Sequence, residues 1–294
     1  MKKVLIVGLG SIGKKHLNAA NELKCKVDVI SKHAKISENF QLVDNLKNKR
    51  VYDLGIICSN TSNHLNDLLR TSKYCKTILV EKPLNHIYIP TQLKIKLEKL
   101  KPLVVLGFNL RYLDLMIFLK TYLTDKKIIS VENIFWDDCR KWYEGRDFKK
   151  LYVSNKHLGG GALLTNIHEL DYIKFICNAD INHINITYQK NKDNLDKSCM
   201  VKGMLDREIS FKSSLNIFSS FRIRKGIIRT NDESIEWDID QGIINSNLEG
   251  VIFNKKTNYL KTYTSQLKHL FEKNHQNIST IQSNIKLNNL IFNQ

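Results

Sequence analysis

The sequence has little of what would mark a membrane-spanning, disulfide-rich or zinc-binding protein. Its apolar runs are all shorter than the roughly 18 residues that a transmembrane helix requires. Six Cys residues are present, but they form no CxxC pair and no regular spacing, which zinc sites and disulfide frameworks would show. We therefore expect no metal, no membrane partner and a reducing compartment, the cytoplasm.

Arginine is scarce for a chain of this charge. Lys and Arg number 46 against 29 Asp and Glu, a formal charge of +17, yet only nine of the 46 are Arg. Arg is preferred for planar contacts to phosphates and bases, and no more than two basic residues are adjacent anywhere in the chain. Nucleic-acid binding rests on the charge alone, and the dispersed Lys excess favours a solvated surface instead, so we expect no nucleic-acid partner.

The first third of the chain alternates short apolar runs with amphipathic stretches. This alternation predicts βαβ units and a parallel sheet of the Rossmann type. The predicted strands are Val4–Gly8, Val27–Ser31, Leu54–Ser59, Thr77–Val80 and Leu103–Gly107, and the predicted helices are Lys14–Leu23, Asn63–Ser72 and Tyr88–Leu100.

From about residue 128 the pattern becomes rich in strands and poor in helices, with the expected helices near 162–178 and 263–273. This predicts an α+β domain with an open, mostly antiparallel sheet. The fold class is therefore α/β, with a Rossmann domain over residues 1–120 and a second domain, built on the antiparallel sheet, over residues 121–294.

Glycine is also scarce, with 13 residues in the chain. Three of them form GxGxxG over Gly8–Gly13, directly after a predicted buried strand and at the start of a predicted helix. In that context the motif allows a tight turn, close approach of a pyrophosphate and close packing of helix on strand. The motif predicts a dinucleotide site, and the alternative is a purely structural turn.

The second strand decides which dinucleotide fits. An acidic residue at its tip usually receives the ribose hydroxyls of NAD, but here Asp28 lies inside the strand and the tip carries Ser31 and Lys32. A hydroxyl and a cation favour a 2′-phosphate, so NADP is preferred over NAD. The alternative is that Lys32 is one more surface lysine.

Two further segments contain candidate residues for proton transfer. Glu81-Lys82-Pro83 ends a predicted strand at the sheet edge where open α/β folds place ligands, and a Lys held there can exchange a proton with a substrate hydroxyl. Gly159-Gly160-Gly161 leads into a predicted helix in which His168 and Asp171 share a face, an arrangement that orients an imidazole for proton transfer. Each segment alone is also compatible with a structural role.

Taken together and in this order, the motifs resemble the glucose-fructose oxidoreductase, inositol dehydrogenase and rhizopine catabolism family, called Gfo/Idh/MocA. The resemblance spans nearly the whole chain. It comprises Gly8–Gly13, the loop Ser59–His64, Glu81-Lys82-Pro83, a "GYNxRF"-like segment at Gly107–Tyr112, the glycine-rich His helix and a "GTxGTIxW"-like pair of strands over Ile227–Trp237.

The resemblance implies an NAD(P)-dependent oxidoreductase that transfers a hydride to or from a sugar or sugar-nucleotide. It implies a catalytic pair, Lys82 and His168. It also implies that residues 121–294 form a substrate-binding and oligomerisation domain, through whose open sheet a homo-oligomer, a dimer or tetramer, is formed. The expected cofactor contacts are Gly8, Gly10, Ser11, Ile12, Gly13, Ser31, Lys32, Ser59, Asn60, His64, Glu81 and Lys82.

Within the family, Trp142, Arg146, Tyr152 and the His168–Tyr172 segment look like the branch linked to surface-polysaccharide sugars, including nonulosonic acids. This similarity implies a sugar-like substrate bound by Arg111, Arg146, Tyr152, Asn166 and Asp171.

Three departures from the family pattern leave a second interpretation open. Asn60 stands where the "TPxxxH" loop has Pro, Ser234 replaces a turn Gly, and Leu164 or Thr165 stands where many members carry Asp. The missing carboxylate favours, as the alternative, a catalytically weak dinucleotide-binding sensor or a partner protein in a biosynthetic complex.

Overall fold

The computed structural model describes residues 1–32, 34–35, 37–43, 46, 51–143, 145, 147–206 and 208–293. Along the chain, the described strands and helices are β1 (Lys3–Val7), α1 (Ser11–Glu22), β2 (Lys26–Ile30), β3 (Gln41–Leu42), β4 (Tyr52–Ile57), α2 (His64–Thr71), β5 (Cys75–Val80), α3 (Thr91–Glu98), β6 (Leu103–Leu106), α4 (Asp114–Tyr122), β7 (Ile128–Asp138), α5 (Ala162–Thr165), α6 (His168–Cys177), β8 (Ile181–Lys190), β9 (Asp196–Leu205), β10 (Ile209–Asn216), β11 (Phe218–Thr230), β12 (Ser234–Asp238), β13 (Ile243–Ser246), β14 (Gly250–Asn254), α7 (Tyr259–Phe271) and α8 (Ile281–Phe292).

The chain forms two compact units. The first combines Met1–Tyr112 with Tyr259–Asn289, and the second combines Leu113–Asn258 with Leu290–Gln294. From the sequence, residues 121–294 are expected to form the second domain, whereas the structure places the segment Tyr259–Asn289 with the first unit.

The first unit is built on a parallel sheet with the strand order β3-β2-β1-β4-β5-β6. Strands β2 and β3 lie on one side of β1, and β4, β5 and β6 lie on the other, so the order of the strands changes direction between β1 and β4. These two strands are parallel and pair from Val4 with Leu54 to Val7 with Ile57. In open α/β sheets this switch point, at the carboxyl ends of the strands, is where ligands bind. The predicted parallel Rossmann sheet is confirmed.

The C-terminal segment completes the first unit. Leu267 of α7 is fully buried and packs in one hydrophobic cluster with Val4 and Ile6 of β1 and Val29 of β2. Further along, the backbone N–H of Leu106 donates to the carbonyl of Ser279 at 2.9 Å. Helix α7 thus covers one side of the sheet, and the segment before α8 pairs with the edge strand β6.

The second unit contains a sheet with the strand order β14-β13-β12-β11-β7-β10-β9-β8. Strands β7 and β10 are parallel, and the other neighbouring pairs are antiparallel. The predicted, mostly antiparallel sheet is confirmed. Helices α4 and α8 were not among the helices expected from the sequence.

The helix expected near 162–178 is divided. Helix α5 ends at Thr165, and α6 begins at His168 after Asn166 and Ile167. Every residue of α6 from Glu169 to Cys177 is buried. Among the described helices, we find none with the length and apolar character needed to cross a bilayer.

Candidate functional site

The turn after β1 requires glycine at two positions. Gly8 has φ of +91°, and a Cβ at this position would lie 2.8 Å from the carbonyl of Cys58 at the end of the neighbouring strand. At Gly13 a Cβ would lie 2.2 Å from the carbonyl oxygen of Gly8. Gly8 therefore supplies the left-handed backbone of the turn, and Gly13 lets α1 pack directly on it.

Gly10 differs from these two glycines. Its φ is −72°, which any residue adopts, and a Cβ would meet no described atom within 4 Å. Gly10 is also the N-cap of α1, where no side chain accepts a hydrogen bond from the helix and no acidic residue occupies the first turn. Among the described residues, the start of α1 therefore has no side-chain cap, and such a helix end attracts a phosphate.

A second polar group lies beyond β4, beside the glycine turn. The side-chain oxygen of Ser59 is buried and has no hydrogen-bond partner among the described residues. A buried hydroxyl without a partner is uncommon in folded proteins and fits a site that a ligand completes. The residues present, an open glycine turn and an unpartnered hydroxyl at the switch point, therefore fit a dinucleotide.

Ser31 and Lys32, at the tip of β2, offer no carboxylate that could bind the ribose hydroxyls of NAD. Asp28 is buried within the strand and accepts a hydrogen bond from the Tyr52 hydroxyl at 2.8 Å. Beyond it, Ser31 is half-buried and Lys32 is exposed. Asp28 therefore stabilises the sheet, and the choice between NADP and NAD rests on Ser31 and Lys32.

The segment that carries Lys82 is held by Glu81 and by His16, a residue that the sequence motifs did not single out. The buried carboxylate of Glu81 lies 2.8 Å from Nε2 of His16, a fully buried residue of α1, and also accepts the backbone N–H of Lys82 at 3.2 Å. His16 follows Gly13 by three residues, so both face the sheet from the same side of α1. That spacing was the available signal for His16.

His64, predicted to contact the cofactor, lies between two loops of the first unit. Its Nδ1 lies 2.8 Å from the carbonyl oxygen of Pro83 and its Nε2 lies 2.9 Å from that of Ser59. Burial lowers the pKa of the His64 imidazole below its usual value, and the two carbonyl contacts oppose this effect in part. His64 thus joins the loop after β4 to the loop after β5.

In the second unit, the glycine cluster brings two segments together. Gly159 and Gly161 have positive φ, and a Cβ at Gly160 would lie 2.4 Å from the carbonyl oxygen of Tyr152. The backbone around Tyr152, a predicted substrate residue, therefore packs against the loop that leads into α5. Across from that loop, a Cβ at Gly161 would lie 3.3 Å from Cβ of Asp196, whose pKa is raised by burial.

His168 is the first residue of α6 and is partly buried. The next residue, Glu169, is fully buried; it accepts a hydrogen bond from Nε of Arg224 on β11 at 2.9 Å and one from Nδ2 of Asn133 on β7 at 3.2 Å. These contacts fix the start of α6, and with it the backbone of His168, to the sheet. The motifs did not point to Arg224 or Asn133, because their partner lies far away in sequence.

The other predicted substrate residues occupy different environments. Asn166 and Asp171 are buried in the second unit, and Nδ2 of Asn166 has no partner among the described residues. Arg111 belongs to the first unit, where it is 8% exposed and donates to the carbonyl of Ile278 at 2.6 Å. Arg146 lies outside the described residues.

Two predicted groups are thus assembled within the units. The first unit brings Gly8–Gly13, Ser59, His64, Glu81 and Lys82 to one end of its sheet, and the second unit brings Tyr152 beside the glycine loop that precedes His168. Lys82 belongs to the first unit and His168 to the second, so the structure describes each residue within its own unit.

No protein-family model and no curated protein sequence matches the chain. Solved structures match it over almost its whole length. Aldose-aldose oxidoreductase from Caulobacter crescentus, solved with glycerol, has a TM-score of 0.77 at 14% identity, covering 99% of this chain and 95% of that chain. Scyllo-inositol dehydrogenase from Lactobacillus casei, solved with NAD(H) and scyllo-inositol, has a TM-score of 0.72 at 16% identity, covering 97% and 93%.

A third structure is UDP-N-acetylglucosamine 3-dehydrogenase GnnA from Acidithiobacillus ferrooxidans, with a TM-score of 0.75 at 12% identity, covering 100% of this chain and 99% of that chain. At such identities, similarity of structure establishes the fold. The chain has the fold of the Gfo/Idh/MocA dehydrogenases, a parallel Rossmann sheet and a separate, mostly antiparallel sheet, as its motifs predict.

Proposed function

We propose that the protein is an NAD(P)-dependent oxidoreductase that transfers a hydride to or from a CH–OH carbon of a sugar or sugar-nucleotide. The observation that carries this proposal is the open glycine turn at the switch point of the first sheet, where Gly10 leaves room for a pyrophosphate. The fold supports it, since three proteins of this fold are named as sugar or inositol oxidoreductases.

In this proposal the dinucleotide supplies or accepts the hydride when it is bound. The N–H groups of Ser11, Ile12 and Gly13 hold its phosphates, and the Ser59 hydroxyl donates to one of its polar groups. Lys32, an exposed cation after β2, attracts a 2′-phosphate, so the proposed cofactor is NADP in preference to NAD. Asn60, exposed in the loop after Ser59, completes the proposed contacts.

Lys82 and His168 are the proposed acid–base residues. A hydride leaves or reaches the carbon while the hydroxyl proton leaves or reaches the oxygen, so the reaction needs a group that exchanges that proton. The contacts of Glu81 fix the backbone of Lys82, and those of Glu169 fix the backbone of His168. Both side chains are partly buried, which limits competing proton exchange with bulk water.

The substrate roles of Arg111, Arg146, Tyr152, Asn166 and Asp171 are proposed on the resemblance to the polysaccharide-sugar branch. The unpartnered amide of Asn166 is the structural support for one of them, because a buried amide donor is stabilised by an acceptor such as a sugar hydroxyl. An anionic sugar, a nonulosonic acid or a nucleotide-linked sugar would match the two arginines.

The proposal is tested in two steps. Intrinsic and cofactor fluorescence titrations with NADPH and NADH measure binding, and tighter binding of NADPH is expected. A panel of neutral sugars, sugar acids and nucleotide-linked sugars is then screened for absorbance change at the nicotinamide band, with Lys82→Ala and His168→Ala as the variants expected to lose turnover.

A different outcome would favour the alternative function, a dinucleotide-binding protein with little catalytic activity. Leu164 and Thr165 bring no carboxylate to the helix before His168. Tight dinucleotide binding without turnover on any sugar, and without any effect of Lys82→Ala, would contradict the enzyme and support a sensor or a partner in a biosynthetic complex.

A further inference from the structure

Two buried histidines flank the segment Glu81–Pro83, here called the Lys82 turn. His16 approaches it from α1, with Nε2 at 2.8 Å from Oε1 of Glu81. His64 approaches it from the start of α2, with Nδ1 at 2.8 Å from the carbonyl oxygen of Pro83. The residues on both sides of Lys82 are therefore held by an imidazole, one through a side chain and one through the backbone.

The Glu81 carboxylate has little freedom to move. It is 7% exposed and uses one oxygen for His16 and the other for the backbone N–H of Lys82, at 3.2 Å. On its remaining side lies Gly107, where a Cβ would come within 2.7 Å of Oε1. A buried carboxylate that loses a partner is strongly destabilised, so the His16 contact fixes the carboxylate and thereby the backbone at Lys82.

His64 provides a second connection. It is 2% exposed, and its Nε2 lies 2.9 Å from the carbonyl oxygen of Ser59. The loop that contains the unpartnered Ser59 hydroxyl is thus joined through one imidazole ring to the Lys82 turn. A neutral imidazole has one N–H, so the ring donates to one of these carbonyl oxygens and packs against the other.

We propose that His16 and His64 are positioning residues that hold Lys82 at a defined place relative to the bound dinucleotide. Each histidine connects the Lys82 turn to an element of the proposed cofactor site: His16 belongs to the helix whose N-terminus would bind the phosphates, and His64 contacts the Ser59 loop. This inference rests on the proposed function, since it assigns the two histidines to proton transfer by Lys82.

The first test compares three variants by steady-state kinetics. His16→Leu removes the donor to Glu81, whereas His16→Gln keeps an N–H near the position of Nε2. We expect His16→Leu to lower kcat about tenfold or more, because small displacements of a reacting group are costly, while KM and the cofactor Kd change less than about threefold. His16→Gln restores most of kcat. His269→Asn is the matched control, since His269 contacts Ser265 of its own helix.

If His16→Leu does not fold, Glu81→Gln provides the same test. Its amide oxygen still accepts the backbone N–H of Lys82, but the side chain loses the negative charge that His16 faces, so the contact with His16 is weakened and kcat falls. For His64 the pair His64→Leu and His64→Gln is expected to follow the same pattern. Values of kcat within about twofold of wild type in His16→Leu or Glu81→Gln would overturn the proposal.

The second test does not need turnover. Amine-specific labelling followed by mass spectrometry measures the labelling rate of Lys82 relative to the exposed Lys101. The ratio is expected to change in His16→Leu, to return in His16→Gln and to stay constant in His269→Asn. Absence of sugar turnover in the wild-type protein would refute the proposed function only, whereas an unchanged Lys82 ratio in His16→Leu would refute the positioning role.

Discussion

Two glycines of the turn after β1, Gly10 and Gly13, should respond differently to substitution by alanine. At Gly10, with φ of −72° and no described atom within 4 Å of the added Cβ, Gly10→Ala should change stability by about 1 kcal/mol or less. Alanine restricts the unfolded chain, which stabilises the protein, but it is less favourable than glycine at an N-cap, which offsets that gain. At Gly13 the added Cβ lies 2.2 Å from the Gly8 carbonyl oxygen, against the 3.4 Å of an ordinary contact. An overlap of about 1.2 Å with backbone should cost about 1–3 kcal/mol or more.

Dinucleotide binding separates the two substitutions further. The methyl group of Gly10→Ala occupies the space through which a pyrophosphate approaches α1, so the Kd for NADPH and NADH should rise about tenfold or more, equivalent to about 1.4 kcal/mol. Calorimetry of the protein without cofactor gives the stability change, and fluorescence titration gives Kd. A variant Gly10→Ala that binds both dinucleotides within about twofold of wild type would refute the placement of the phosphates at this turn, and a large fall in its Tm would refute the claim that the space is open.

Three further predictions address the second unit, the pH response and assembly. Arg224→Met leaves the fully buried Glu169 carboxylate without its guanidinium partner, so urea unfolding should show that the free energy of unfolding falls by about 3–5 kcal/mol. The control is Lys76→Met, at an exposed ion pair with Asp53, which should lower it by less than about 1 kcal/mol. Equal losses in the two variants would contradict the prediction. Burial lowers the pKa of His64 in the folded state from 6.5, so the unfolded chain binds the proton first as pH falls. The contribution of His64 to the free energy of unfolding is therefore present above about pH 6.5 and is lost below it. The pH dependence of this free energy should be weaker in His64→Gln, and an identical dependence would contradict the prediction. Phe221 of β11 is 55% exposed and lies beside Trp136 of β7, and we propose that it lies in a contact between copies of this chain. Phe221→Asp should then lower the mass measured by light scattering, and an unchanged mass would exclude this contact.

The elements that the sequence predicted well have local causes. The parallel strands of the first unit are continuous apolar runs, because both faces of such a sheet are covered, and the glycine turn is specified within six residues. The strand ends agree with the expected ends to within a few residues in β1, β2 and β6.

The elements that were missed depend on distant partners. Helix α8 contains Asn288 and Asn289, which are poor helix formers, yet their side chains bond the backbone of Ile87 and Ile89 at 2.9 Å. The break before α6 places Glu169 where it meets Arg224 of β11. Neither contact leaves a periodic signal in the sequence, because periodicity reports burial of a face and does not identify the partner.

The sequence by itself determined the class of both sheets and the position of the glycine turn after β1, and it made Lys82 and His168 candidates, because each depends on residues that are close in the chain. Only the tertiary structure decided that Tyr259–Asn289 belongs with the first unit, that His16 meets Glu81 across 65 positions and that Arg224 holds the start of α6. Those contacts join segments far apart in sequence, and their geometry is set by the packing of complete helices on complete sheets.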